Sequence, residues 1–240
     1  MNILAFDTCF DACSVAVRRA DAVTAERVLM RRGHAEALVP MIERTMQAAG
    51  LAFDAIDRIA VTAGPGTFTG SRVGMSAALA LSVAHGVPVI TYSSLQCVAR
   101  AAIEQLGARA ADYDGILVAR DAKRDSVFIE STDRVGNELD APALLTVTEA
   151  RAVAAARQYF ALGSGVPLLA DDASPLALAS TWQQEPPSGI CEPDARQMLA
   201  DAATRQPTPA PAPLYLRPPD ATPSSRPPLA RLPSRHPPDA

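Results

Sequence analysis

The segment of this sequence best built to meet a phosphate is Gly64-Pro65-Gly66-Thr67-Phe68-Thr69-Gly70, which joins an apolar run to a helical pattern. Backbone N–H groups at such a strand-to-helix turn can cradle an anion, helped by the helix N-terminus. The Walker pattern needs Lys-Ser/Thr after its last glycine, and here Ser71-Arg72 follows Gly70. The spacing of Gly64, Gly66 and Gly70 also misses the dinucleotide fingerprint by one residue. Two readings stand: Gly64 and Gly66 touch a nucleotide, or the glycines only let the turn tighten and the helix pack close. Asp7 and Asp121 each end an apolar strand. Facing one another across a cleft, they could hold a hydrated Mg²⁺; otherwise each braces a hairpin turn.

The remaining reactive residues are sparse. His34, His85 and His236 are scattered, and none has a second histidine four residues away, the helical spacing that metal sites favour. Ser93 or Ser94 could be paired with His34 as a hydrolase, but nothing in the spacing supports it. Cys9-x-x-x-Cys13 has no second pair to complete a zinc site.

These residues need elements to hold them. Residues 2–8, 13–18 and 22–30 read as three meandering strands, followed by a helix over 35–49 with Leu38, Met41, Ile42 and Thr45 on one face. Pro40 fits that helix only if the first turn starts near Ala37, and otherwise implies a kink. A strand at 56–63, a helix at 71–85 ending at Gly86 and Pro88, a strand at 87–92 and a helix at 94–106 complete one α/β lobe. In the second helix Gly70, Val73, Gly74, Ala77 and Leu81 form a stripe that would let another backbone approach closely. It either packs inside its own lobe or, with Leu38, Met41, Ile42 and Thr45, docks another subunit.

Residues 116–121 and 126–130 echo the first hairpin: apolar strand, Asp, turn, Ser-Val, strand. A helix at 148–158, a strand at 159–162 and a final helix at 194–205 follow. This pattern predicts a duplicated lobe whose second copy is reduced. The expected organisation is a first lobe over 1–106, a second over 107–205 and an extended or disordered tail over 206–240, in which only Pro213-Leu214-Tyr215-Leu216-Arg217 could dock as a short extended segment. Twelve of the 21 prolines lie in that tail.

The formal charge of −4 is uneven: the tail carries four arginines against two aspartates, a net of +2, which leaves −6 on residues 1–205. An acidic body argues against a chain that binds nucleic acid by itself. The start shows no signal-peptide pattern and no apolar run is long enough to span a membrane, so the expected compartment is the cytoplasm.

The blocks Ile3-Leu4-Ala5-Phe6-Asp7-Thr8, His34-Ala35-Glu36-x-Leu38-Val39-Pro40 and Gly64-Pro65-Gly66-Thr67-Phe68-Thr69-Gly70-x-Arg72-Val73-Gly74 closely resemble the TsaB (YeaZ) family. Ser93-Ser94-Leu95, Asp121-Ala122-Lys123-Arg124 and Pro213-Leu214-Tyr215-Leu216-Arg217 resemble its later landmarks. The resemblance implies a two-lobed, actin-like α/β fold of the ribonuclease H-like kind. It also implies a non-catalytic dimerisation subunit for threonylcarbamoylation of adenosine 37 in tRNA. The partners it implies are the catalytic paralogue TsaD, the ATPase TsaE and a second copy of the chain, with tRNA reached only through the complex. TsaD carries a His-x-x-x-His metal motif where this chain has Ser94-Leu95-Gln96-Cys97-Val98, so neither ligand is present. No tightly bound cofactor is expected, and at most weak ATP or ADP with Mg²⁺ at a complex interface. The rival reading is an actin-like ATPase or phosphotransferase that acts alone.

Overall fold

The computed structural model describes residues 1–170 and 191–217. Strands β1 (Ile3–Asp7), β2 (Ala12–Arg19) and β3 (Ala22–Leu29) form an antiparallel meander. Strands β4 (Arg58–Gly64) and β5 (Val89–Ser93) extend it in parallel on the β1 side, giving the order β3-β2-β1-β4-β5. Strands β6 (Gly115–Asp121), β7 (Ser126–Asp133) and β8 (Glu138–Thr146) repeat the meander, and β9 (Tyr159–Leu162) joins β6 in parallel, in the order β8-β7-β6-β9. The same sub-topology occurs twice, and among the described residues the second sheet has no counterpart of β5. This is the actin-like, ribonuclease H-like α/β arrangement, with a smaller second lobe.

Alternation along the strands fixes the layers. In the first sheet Leu4, Phe6, Val15, Val17, Ile59 and Val61 face helices α1 (His34–Ala48) and α2 (Phe68–His85). Their neighbours Ile3, Ala5, Ala16, Ala60 and Ile90 face the other way, onto Ala195, Met198, Leu199 and Ala202. Helix α3 (Ser94–Leu106) presents Leu95, Val98, Ala99 and Ala102 to Ile116, Val118 and Phe160 of the second sheet. The far side of that sheet is covered by α4 (Val147–Ala155) and α5 (Val166–Leu169).

The helix ends follow local chemistry. Thr67 caps α2 by accepting from the Gly70 N–H at 3.0 Å, and Gly86 ends it in the left-handed conformation at φ 66°. Ser93 caps α3, and Thr146 with Glu149 forms a capping box on α4. Pro40 lies inside α1, which starts at His34 rather than near Ala37. The lost backbone bond is outweighed by a face buried over four turns.

The structure departs from the sequence reading in three places. Strand β8 was not expected. Its Pro142 cannot donate to a ladder, and it is accommodated because β8 is an edge strand whose register shifts near that residue. The closing helix expected over 194–205 is a short 3₁₀ turn, Ala195–Met198, that lies on the first lobe's sheet rather than in the second lobe. Arg18 and Arg58 donate to the Leu199, Ala202 and Arg205 carbonyls of the residues that follow the turn and hold the segment there. Residues 213–217 dock as an extended segment, as expected, with the Leu214 N–H donating to the Ala63 carbonyl. Residues 206–212, expected only as tail, also run extended across the first lobe, the Thr208 N–H donating to the Val89 carbonyl. The part of the proposed tail beyond 217 lies outside the described residues.

Candidate functional site

The glycine-rich turn wraps around the β1–β2 turn. The Thr67 N–H donates to the Cys9 carbonyl at 2.7 Å, and Thr8 Oγ1 donates to the Gly70 carbonyl at 2.6 Å. A Cβ on Gly66 would sit 2.6 Å from the Cys9 oxygen, and one on Gly70 only 2.1 Å from the Thr8 oxygen. A Cβ on Gly74 would meet Thr8 Oγ1 at 2.7 Å. These glycines therefore serve close approach within the lobe. Gly64, at φ 125°, lies beneath Leu214, whose oxygen would be 3.1 Å from an added Cβ. Gly70→Ala should cost about 1–3 kcal/mol through this backbone overlap, lowering Tm by about 2–4 °C per kcal/mol. Exposed Ser76→Ala should change stability by less than about 0.5 kcal/mol; thermal melts followed by circular dichroism compare the two.

The face read as a docking surface turns inward. Leu38, Met41 and Ile42 are buried in one cluster with Leu4, Phe6, Val15 and Ile59, and buried Thr45 donates to the Met41 carbonyl. Gly70 and Gly74 face Thr8, while Val73, Ala77 and Leu81 pack partly buried on the same core. These residues close the first lobe because its sheet needs a cover. The outward face of α2 instead shows Phe68, Leu79 and Val83, with Val83 86 % exposed. Arg72 stacks 3.5 Å from the Phe68 ring centroid and donates to the Tyr215 hydroxyl at 2.6 Å, so the 213–217 segment borders this face.

The two acids are not brought together. Asp7 is fully buried; its Oδ1 accepts from Thr62 Oγ1 and from the Cys9 N–H, and its Oδ2 has no partner. Burial pushes its carboxyl up to about 6. Asp121 pairs with the Lys123 ammonium and accepts from the Lys123 N–H, contacts that hold its carboxyl below the usual range. Those bonds brace a β6–β7 turn in which Lys123, Arg124 and Asp125 are all left-handed. Each acid thus serves its own hairpin. Among the described residues no three His, Cys, Asp or Glu side chains are grouped to hold a metal ion.

Between the lobes lies a cleft of about 1010 Å³. Asp121 and Gly66 border it; Asp7 and Gly64 do not. At its floor sits a buried ion pair that sequence reasoning missed, Arg120 with Glu192 at 2.6 Å. The serine–histidine pairing fails, since Ser93 donates to Glu130 and Ser94 to the Pro65 carbonyl. His34 begins α1, and His85 pairs with Asp54 at 2.9 Å.

A family model described as "TsaD: tRNA N6-adenosine threonylcarbamoyltransferase" matches residues 27–158, more than half of the chain. A Mycobacterium tuberculosis protein of uncharacterised function is 34% identical over 92% of this chain and 94% of its own length. The Haemophilus influenzae "tRNA threonylcarbamoyladenosine biosynthesis protein TsaB" is 34% identical over 56% of this chain. YeaZ from Pseudomonas aeruginosa superposes with a TM-score of 0.66 at 27% identity, covering 85% of this chain and 92% of that one. The chain belongs to the TsaB/YeaZ family. A second P. aeruginosa structure, of an uncharacterised protein similar to YeaZ, reaches a TM-score of 0.72 at 26% identity, covering 90% of this chain and 99% of that one. The chain spans about half the length of the TsaB relatives from H. influenzae and Escherichia coli, 55% and 53%. Among the described residues no helix is long and apolar enough to cross a membrane.

Proposed function

We propose that this chain is a non-catalytic dimerisation subunit in threonylcarbamoyladenosine synthesis on tRNA, acting in the cytoplasm through the catalytic paralogue TsaD, with TsaE as a third partner. The observation that carries the reading is the junction of β5 and α3, where the resemblance places the paralogue's two metal-binding histidines. Here Ser94, Leu95, Gln96, Cys97 and Val98 form the buried first turns of α3, and the Ser94 hydroxyl is tied to Pro65. Neither of those two histidines stands at that junction in this chain. The names of the TsaB relatives supply the pathway. The outward face of α2, with Phe68, Leu79 and Val83, supplies an apolar surface for the partner.

With threonylcarbamoyl-adenylate and ATP supplied, the purified chain alone should form no threonylcarbamoyladenosine on a cognate tRNA. Adding the TsaD and TsaE proteins of the same organism should restore synthesis, with AMP as the leaving group. Omitting this chain from the reconstituted mixture should abolish it. Product made by this chain alone, or undiminished synthesis without it, would overturn the reading.

A further inference from the structure

The buried pair at the floor of the cleft is built from three separate parts of the chain. Asp11, in the β1–β2 turn of the first lobe, donates its backbone N–H to Glu192 Oε2 at 2.9 Å. Arg120, on β6 of the second lobe, donates to Glu192 Oε1 at 2.6 Å and to Oε2 at 3.4 Å. The same guanidinium donates to the Cys191 carbonyl at 2.8 Å and stacks 4.2 Å from the Phe10 ring centroid. The two charged side chains are 8 % and 13 % exposed, so water screens them little. Glu192 is further held by its own carbonyl, which accepts from Arg27 on β3.

A turn N–H and a guanidinium fork converging on two oxygens are the donors that recognise a carboxylate or a phosphoryl group. Both donors come from opposite walls of the cleft, and the oxygens they hold belong to the chain itself. We propose that Glu192 is a resident anion: it occupies the oxyanion position of the inter-lobe cleft, latches the two lobes without any ligand, and closes that position to phosphoryl compounds. An entering phosphate must displace a carboxylate that is already bonded to both donors, and it meets that carboxylate's charge on approach. With Glu192 neutralised or removed, Arg120 and the Asp11 N–H become a vacant dianion site at the floor of a cleft with room for one.

The test uses the full chain and inorganic pyrophosphate as the probe, with isothermal titration for affinity and thermal melting for the latch. Wild type should show no saturable binding at millimolar pyrophosphate. Glu192→Ala should melt lower, because it leaves a buried guanidinium unpaired, and should bind pyrophosphate at least tenfold more tightly than wild type, with recovery of Tm. Glu192→Ala/Arg120→Met should lose that binding. Should Glu192→Ala fail to fold, Glu192→Gln removes the repelling charge while keeping the volume and one acceptor oxygen, and a gain in the same direction, smaller than that of Glu192→Ala, is expected of it. Equal pyrophosphate affinity in wild type and the folded position-192 variant overturns the proposal. So does a gain in affinity that survives Arg120→Met.

Discussion

Leu38→Glu is expected to unfold the first lobe, while Val83→Glu is expected to leave it folded and weaken its association with the TsaD paralogue. Leu38 is fully buried among the apolar side chains of Leu4, Phe6, Val15 and Ile59. An unpaired buried charge costs about 3–5 kcal/mol, and the lost leucine adds about 2–3 kcal/mol of transfer free energy. Against a total stability of about 5–15 kcal/mol this loss is close to decisive. Val83 lies on the opposite side of α2, and a charge there stays in water in the isolated chain. Buried at an apolar seam, the same charge should lower affinity by tenfold or more, since about 1.4 kcal/mol is a factor of ten. Circular dichroism melts and a binding titration on the same samples separate the effects. A Leu38→Glu variant with the wild-type Tm and no affinity for the paralogue would return the inner face to the interface.

That contrast marks what the sequence could and could not reveal. The three-and-four spacing of Leu38, Met41, Ile42 and Thr45 identified an apolar face, and the helix is there. Spacing does not say whether a face meets its own sheet or another subunit. In α2 the ambiguity is sharper, because alanines and glycines surround the helix and leave little contrast between its sides. The second hairpin was legible because Asp121 ends β6 as Asp7 ends β1 and a Ser-Val pair follows in each case. The pairing is nevertheless offset by one residue: Asp7 faces Ser14, whereas Asp121 faces Val127. Strand β8 was hidden by Pro142, which reads as a breaker unless the strand is known to lie at an edge. The Arg120–Glu192 pair left no signal, since residues 72 positions apart carry no periodicity that would join them. The docking of 213–217 was legible in its Leu-Tyr-Leu core, but that of 206–212 was obscured for a related reason. Proline-rich composition reports what a segment cannot bury, and not the backbone bond that Thr208 makes to a strand already formed.

The chain should be more stable in mildly acidic solution than at neutral pH, because two buried carboxyls hold their protons more tightly when folded. Burial pushes Asp7 from 3.8 to about 6, with the neighbouring Glu192 charge acting in the same direction. Burial also pushes Glu130 from 4.5 to about 7, against the opposing hydrogen bond from Ser93. A group whose folded pKa lies above its unfolded value contributes stability that is complete below the unfolded value and is lost as pH rises through the folded one. The Asp7 contribution is therefore lost between about pH 4 and 6, and that of Glu130 between about pH 4.5 and 7, the windows set by those values. At 1.36 kcal/mol for each pKa unit, either group accounts for about 3 kcal/mol. The paired acids Asp194 and Asp201 have lowered values and act oppositely, removing stability only below the ordinary carboxylate range. Tm should thus peak in mildly acidic buffer and fall from there to neutral pH. In Asp7→Asn/Glu130→Gln that fall should flatten, since neither amide titrates and the amide oxygen introduced at position 7 can still accept from Thr62 and the Cys9 N–H. An equally steep fall in the double variant would place the cause elsewhere, and a wild-type Tm that rises towards neutral pH would show that these two carboxyls are not buried as protonated acids.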